Sequence, residues 1–269
     1  MKLMRSGLFA LTFAVAVSGA NAAVLLAPHR AVYKISLDKG EGARAPVSAS
    51  GLIAYEFRGS SCDGYATNFR QVTQLQRGEG EQVAADARAV TFEDGEAKTL
   101  RFKIDSVLGG APDQNIDGNA TRQGGGIKVD LTKPAPGAHE LVADILFPTQ
   151  HLQKIIETAR GGAGVFQAKV FDGSDTGEKI FDTLTVIGKE AGDAASADAS
   201  TAADLKSVRR WPVTVSYFDA SKPDNAAEYI LSFDQYENGV SGSLKLDYGA
   251  FSLAAKLTEF ELLPVATCK

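Results

Sequence analysis

Residues 229–248 read Tyr229-Ile230-Leu231-Ser232-Phe233-Asp234-Gln235-Tyr236-Glu237-Asn238-Gly239-Val240-Ser241-Gly242-Ser243-Leu244-Lys245-Leu246-Asp247-Tyr248, and their pattern decides the fold. Tyr229, Leu231 and Phe233 share one face of an extended chain, and Leu244, Leu246 and Tyr248 share a face of a second. Period-two spacing of this kind marks a strand with one side buried. Asn238-Gly239 stands between the two runs, and both residues tolerate the positive φ that a tight hairpin turn requires. The stretch is therefore predicted to be two antiparallel strands, Tyr229–Tyr236 and Val240–Tyr248.

The same alternation recurs in both directions along the chain. Ala31, Tyr33, Ile35 and Leu37 face one way while Lys34 and Ser36 face the other. Ile53-Tyr55-Phe57, Tyr65 through Leu75, Leu100-Phe102-Ile104, Ile127-Val129-Leu131, Val213-Val215-Tyr217 and Phe251-Leu253 follow suit. Val165–Phe171 and Ile180–Ile187 are apolar on both faces and are predicted to be covered on both sides. Asp94-Gly95 supplies a second hairpin signal, and Gly249 a turn before the last strand. Short strands at this density predict an all-β, mainly antiparallel sheet that curls into a barrel or packs as a sandwich.

One segment departs from this pattern. In residues 149–160 the apolar positions Leu152, Ile155, Ile156 and Ala159 follow the i, i+3, i+4, i+7 spacing of an amphipathic helix. Thr149 is the expected N-cap and Gly161-Gly162 the stop, so a short helix should plug or flank the sheet. Gly109–Gly126 reads as an irregular loop. The Ala/Ser/Asp-rich stretch 188–204 reads as a flexible excursion between strands. Dividing the chain there would leave two halves of only about 125 residues, so one domain over 23–269 is expected.

The first 22 residues are read as an export signal. Lys2 and Arg5 precede an apolar run from Gly7 to Val17, and Ala20-Asn21-Ala22 offers the small-x-small pattern that signal peptidases cut. The run is shorter than the roughly 20 residues a membrane-spanning helix needs. Cleavage near Ala22 would leave 26 basic against 33 acidic residues, a net charge of −7. With no basic run of five or six residues, a nucleic-acid partner is excluded on charge. Cys62 and Cys268, an even pair in an oxidising compartment, are most economically a disulfide that staples the C-terminus. The alternative, two free or metal-binding thiols, has no CxxC and no neighbouring histidine behind it.

No nucleophile elbow, zinc-protease, P-loop or dinucleotide-binding motif is present. His29, His139 and His151 are far apart and lack ligand-spaced partners. His151 reads as a capping or surface residue, with a general base as the alternative. Asp172 and Asp175 could do acid–base work in a cleft, but among Gly173 and Gly177 they read as a solvated acidic turn. Asp113-Gln114-Asn115-Ile116-Asp117-Gly118 matches the opening of an EF-hand calcium loop, yet Gly124 occupies the place of its bidentate acid. Arg209-Arg210-Trp211 reads as an arginine stem packed on the lone tryptophan. No catalytic, cofactor-binding or metal-ligating residue is assigned.

Leu26-Ala27-Pro28-His29-Arg30-Ala31-Val32-Tyr33 resembles the opening of the EipB family of bacterial cell-envelope integrity proteins. The next strand and cysteine loop, Gly51-x-x-x-Tyr55-Glu56-Phe57-x-Gly59-Ser60-x-Cys62-x-Gly64-Tyr65, resembles it too. So do Arg70-Gln71-Val72-Thr73, Thr91-Phe92-Glu93-Asp94-Gly95, Phe147-Pro148-Thr149-Gln150-His151 and the terminal Cys268. The resemblance implies a periplasmic, monomeric β-spiral, an open barrel-like wrap with one helix, closed by a Cys62–Cys268 disulfide. It implies a part in maintaining the envelope and stress resistance, and carries no reaction, cofactor or catalytic residue with it. Two functions lead: a non-catalytic interaction or scaffold protein for a periplasmic protein or envelope component, and a carrier of lipid or lipoprotein acyl chains on the concave sheet face. An enzyme is the third. A side-chain-filled interior would speak against the carrier, and an apolar cleft for it.

Overall fold

The structure, a computed structural model, describes residues 23–42, 45–191, 202–222 and 226–265. The expected export signal 1–22, residues 192–201 of the excursion, and Cys268 lie outside the described residues. The period-two segments become strands: β1 (His29–Gly40), β2 (Ser48–Ser60), β3 (Gly64–Gln76), β4 (Gln82–Glu93) and β5 (Thr99–Leu108). They continue as β6 (Ala111–Gln123), β7 (Gly126–Lys133), β8 (Gly137–Val142) and the short β9 (Ile145–Leu146). The predicted helix follows as α1 (Pro148–Arg160). After it come β10 (Val165–Val170), β11 (Phe181–Ile187), β12 (Arg210–Asp219), β13 (Tyr229–Tyr236), β14 (Ser241–Asp247) and β15 (Phe251–Leu262).

All fifteen strands belong to one sheet, ordered β8-β7-β6-β5-β4-β3-β2-β1-β15-β14-β13-β12-β11-β10-β9. The chain starts at the middle of the sheet, meanders to one edge, crosses over and meanders back until β15 pairs antiparallel with β1, Tyr33 opposite Leu257. Every pairing is antiparallel except β9 with β10. The two edge strands, β8 and β9, are consecutive in the chain with only Ala143 and Asp144 between them. Two residues span no more than about 11 Å from Val142 to Ile145, so the sheet must curl until its edges nearly meet. The result is a nearly closed, barrel-like wrap, as expected from the twist that strongly coiled antiparallel sheets accumulate.

Alternation sends one side of each strand inward. Ala31, Tyr33 and Ile35 of β1, Leu100 and Phe102 of β5, and Ile127 and Val129 of β7 are buried. Helix α1 lies inside the wrap with Ile155 and Ala159 on Trp211, Val213 and Val215 of β12. Its next face sets Ile156 against Phe57, Tyr65 and the N-terminal Val24 and Leu26. The helix therefore plugs the wrap. Outward positions carry ion pairs such as Arg70–Asp86 at 2.9 Å. Exposed pairs of this kind add little stability and serve mainly to keep the outer face wet.

Two expectations need correction. Residues 109–126 are not a loop: β6 runs through Ala111–Gln123 with Ile116, Gly118 and Ala120 inward. The alternation was hidden because two of the three inward residues are small. Gly118 cannot be larger, since a Cβ there would lie 2.6 Å from Phe102 and 2.8 Å from Leu131. The second is that β10 and β11 are not covered on both faces. Their outward Val165 and Val186, paired across the strands, are exposed. Where the 188–204 excursion leaves the sheet, Gly188 and Ala191 donate to Pro212 and Arg210 carbonyls at 2.8 and 2.9 Å. On its far side Ala202 and Leu205 are buried in the core around Tyr33 and Tyr236.

Candidate functional site

Helix α1 starts beside the end of β4 and finishes beside the turn between β13 and β14. At its start the N-cap position is Phe147, with Pro148 at the first helical position, so Thr149 is not the cap. The orphaned N–H groups are met from another strand: Glu93, the last residue of β4, accepts from Thr149 N at 2.8 Å and Gln150 N at 3.2 Å. A carboxylate suits the positive end of a helix. At the helix end Arg160 meets Glu237 at 2.8 Å. The two stretches Thr91–Gly95 and Phe147–His151 are thus one structural unit. Arg122 of β6 completes it. Its guanidinium donates to the carbonyls of Ala97 at 2.8 Å, Ala143 at 3.1 Å and Ile145 at 2.6 Å, and to Gln150 Oε1 at 2.7 Å.

Above this plug the wrap is hollow. A cavity of about 540 Å³ lies between the β2–β4 wall, the β12–β14 wall and the first two turns of α1. Its apolar lining includes Ile53, Phe57, Phe69, Leu152, Phe233 and Leu246. The void has a plain cause in the sequence. The β12–β14 wall offers Tyr217, Leu231, Phe233 and Leu244, whereas β4 opposite offers only Ala87, Ala89 and Thr91 as its inward residues. Large side chains facing small ones across a wide curl leave space that no described residue fills. The volume falls within the roughly 300–1,000 Å³ typical of small-molecule sites.

Electrostatically the interior is quiet. His151, expected at the surface or as a cap, is instead buried in the first turn of α1 and lines the cavity. Desolvation lowers its pKa to about 4, so the imidazole is neutral near pH 7. Its Nε2 has no hydrogen-bond partner and its ring meets Phe166 edge-on at 5.9 Å. Among the described residues no hydroxyl or thiol is hydrogen-bonded to that nitrogen, so no nucleophile–base pair forms there. Burial also raises Tyr55, to about 12, although Thr67 bonds its hydroxyl. Glu93 is pushed up to about 7 by desolvation, against the pull of its Thr149 and Gln150 donors and of Arg122.

The other sequence candidates scatter. His29 is buried among Tyr55, Phe57 and Phe260, its Nδ1 2.7 Å from Ala27 O. His139 pairs with Glu178 at 2.8 Å on the outside. Asp175 pairs with Lys179 at 2.7 Å, whereas Asp172 turns toward the cavity, so the two do not act as one acidic turn. Asp113, Asn115 and Asp117 lie along β6, extended, where they cannot wrap an ion. Arg209 stacks over Trp211 at 5.3 Å, as its sequence position implied. Cys62 occupies the exposed turn between β2 and β3 and is not a free thiol. Among the described residues no cluster of three or more His, Cys, Asp or Glu could hold a metal, and no helix is long and apolar enough to cross a membrane.

The cavity wall and the Glu93–Arg122 cluster went unnoticed in the sequence. A signal for each existed: alanines at successive inward positions of a long strand, and acidic and basic residues at inward positions, Glu93 in phase with Ala87 and Ala89, Arg122 with Ile116 and Ala120.

Comparison with known proteins bears on this architecture. The sequence profile of the EipB-like family matches residues 20–264. The cell envelope integrity protein EipB of Brucella abortus (strain 2308) is 34% identical over 251 residues, spanning 93% of this chain and 89% of that protein. The crystal structure of a beta-barrel-like protein of domain of unknown function DUF1849 from Brucella abortus superposes with a TM-score of 0.84 at 32% identity. It covers 90% of this chain and 100% of its own.

Proposed function

Because the chain belongs to the EipB-like family, we propose that it supports the integrity of the bacterial cell envelope from the periplasm, and that it does so by holding one acyl chain of an envelope lipid or lipoprotein in its interior cavity. The observation that carries this reading is the unfilled space of about 540 Å³ lined by aliphatic and aromatic side chains. An apolar chain moved there from water gains roughly 25 cal/mol for each Å² it buries against that lining. In this reading the protein is an exported monomer without chemistry of its own, stapled by a Cys62–Cys268 disulfide. β15 runs from Phe251 to Leu262 toward the end of the wrap where Cys62 lies, since Leu262 and Phe57 both pair with His29.

Filling the small-residue wall tests the proposal. Ala89→Phe would occupy the cavity without touching the outer face. The expected result is a stable protein that no longer enhances the emission of an environment-sensitive fluorescent acyl probe, where the wild type does. Equal enhancement by both would refute the cavity as the site. The interaction or scaffold reading keeps one observation in its favour, the exposed Val47, Val107, Leu108 and Tyr248 at the strand ends opposite α1.

A further inference from the structure

The cavity is not neutral in what it will accept. Of the residues that line it, two carry a charge at neutral pH, Arg88 and Asp172. Arg88 belongs to the outward set of β4; its side chain is 56% exposed and its guanidinium lies 3.2 Å from Asp86. Asp172 is different. It follows the fully buried Phe171, and its Oδ1 accepts only from Ser174 N, at 2.9 Å. The turn that holds it is pinned inward: Gly173 has φ +78, and a Cβ there would lie 2.3 Å from the Phe102 ring. Among the described residues no cation pairs with Asp172. Its charge is felt inside, where burial first and Asp172 second raise the Tyr217 hydroxyl well above its ordinary value.

A fatty-acid carboxylate entering this space would be desolvated beside another carboxylate and would find no cation. A hydrogen-bond donor would meet an acceptor that lacks a partner, and a cationic donor would gain a charge-assisted bond. Resting on the acyl-chain reading above, we propose that Asp172 selects the head group: the cavity takes an acyl chain whose head donates hydrogen bonds, best an amine, and rejects the free fatty acid.

The experiment compares three sixteen-carbon probes, hexadecylamine, monopalmitoylglycerol and palmitate, on the full chain at pH 8, with affinities from displacement of the fluorescent acyl probe. The expected order is amine, glyceride, palmitate, with palmitate weaker than the glyceride by about tenfold or more. In Asp172→Asn, which keeps the Ser174 contact, palmitate should approach the glyceride and the amine should lose its lead. An unchanged melting temperature would show that this variant is folded, and the wild-type order alone decides the matter if it is not. Palmitate binding as tightly as hexadecylamine to the wild type would overturn the selection while leaving the acyl site intact. Binding of none of the three would overturn both.

Discussion

Glu93 and His151 titrate in opposite senses at the same end of the wrap. Folded, Glu93 keeps its proton up to about pH 7, against 4.5 for an unperturbed glutamate. The folded chain therefore binds more protons across that window, and this contribution is lost as pH rises through 7. His151 refuses its proton until about pH 4, against 6.5 unperturbed, and burial lowers His29 in the same direction. Their contribution is present above 6.5 and is lost as pH falls. The Glu93 and His151 effects are each worth about 3 kcal/mol over their windows and offset one another between pH 5 and 6.5. Two substitutions separate them. Glu93→Gln should leave a protein whose melting temperature drops more steeply than wild type from pH 7 to pH 5. His151→Phe should give the reverse, a flatter or rising profile on acidification. Parallel profiles for all three proteins would show that these groups do not titrate with folding.

At the level of elements, Arg122 explains how a sheet this long closes. One guanidinium binds the two-residue crossing from β8 to β9, the turn after β4 and the start of α1. Arg122→Met removes the guanidinium that lies 4.6 Å over the Phe147 ring and leaves the carbonyls of buried Ala97 and Ile145 unpaired, which should cost about 3 kcal/mol or more. Hydrogen exchange should then accelerate first at residues 143–150; uniform acceleration across the sheet would contradict the role. β6 shows what the sequence could and could not convey. β1, β5, β7 and the 229–248 hairpin were legible because their inward residues are mostly large, and β5 and the hairpin also adjoin Asp94-Gly95 and Asn238-Gly239. β6 was not, because Gly118 makes room for Phe102 and Leu131 instead of announcing itself. Gly118→Val should destabilise by about 1–3 kcal/mol through overpacking, read as a lower denaturant midpoint at constant slope. The cap on α1 was equally hidden. Local rules look for it at Thr149, but the acceptor is 56 residues away in sequence.

At the scale of the molecule, the pairing of β1 with β15 and the near-meeting of β8 and β9 make one continuous wrap. Periodicity along a chain reports which face of a strand is buried but not which distant strand it joins, so the barrel-or-sandwich ambiguity could not be resolved from the residues. The inward alanines of β4 marked one wall of the cavity, but the mismatch with the β12–β14 wall exists only once the closed wrap brings the two opposite each other. A single wrap should unfold in one cooperative transition. Cys62→Ser should lower its stability by about 2–4 kcal/mol, with reductant doing the same to the wild type and nothing to the variant. If the hollow of this wrap holds one acyl chain, native mass spectrometry of the protein released gently from its own cells should find it. The account predicts a bound mass matching a single acyl-bearing molecule on the wild type and its absence from Ala89→Phe. Wild-type protein that arrives bare, or a bound mass that persists in the filled variant, would contradict it.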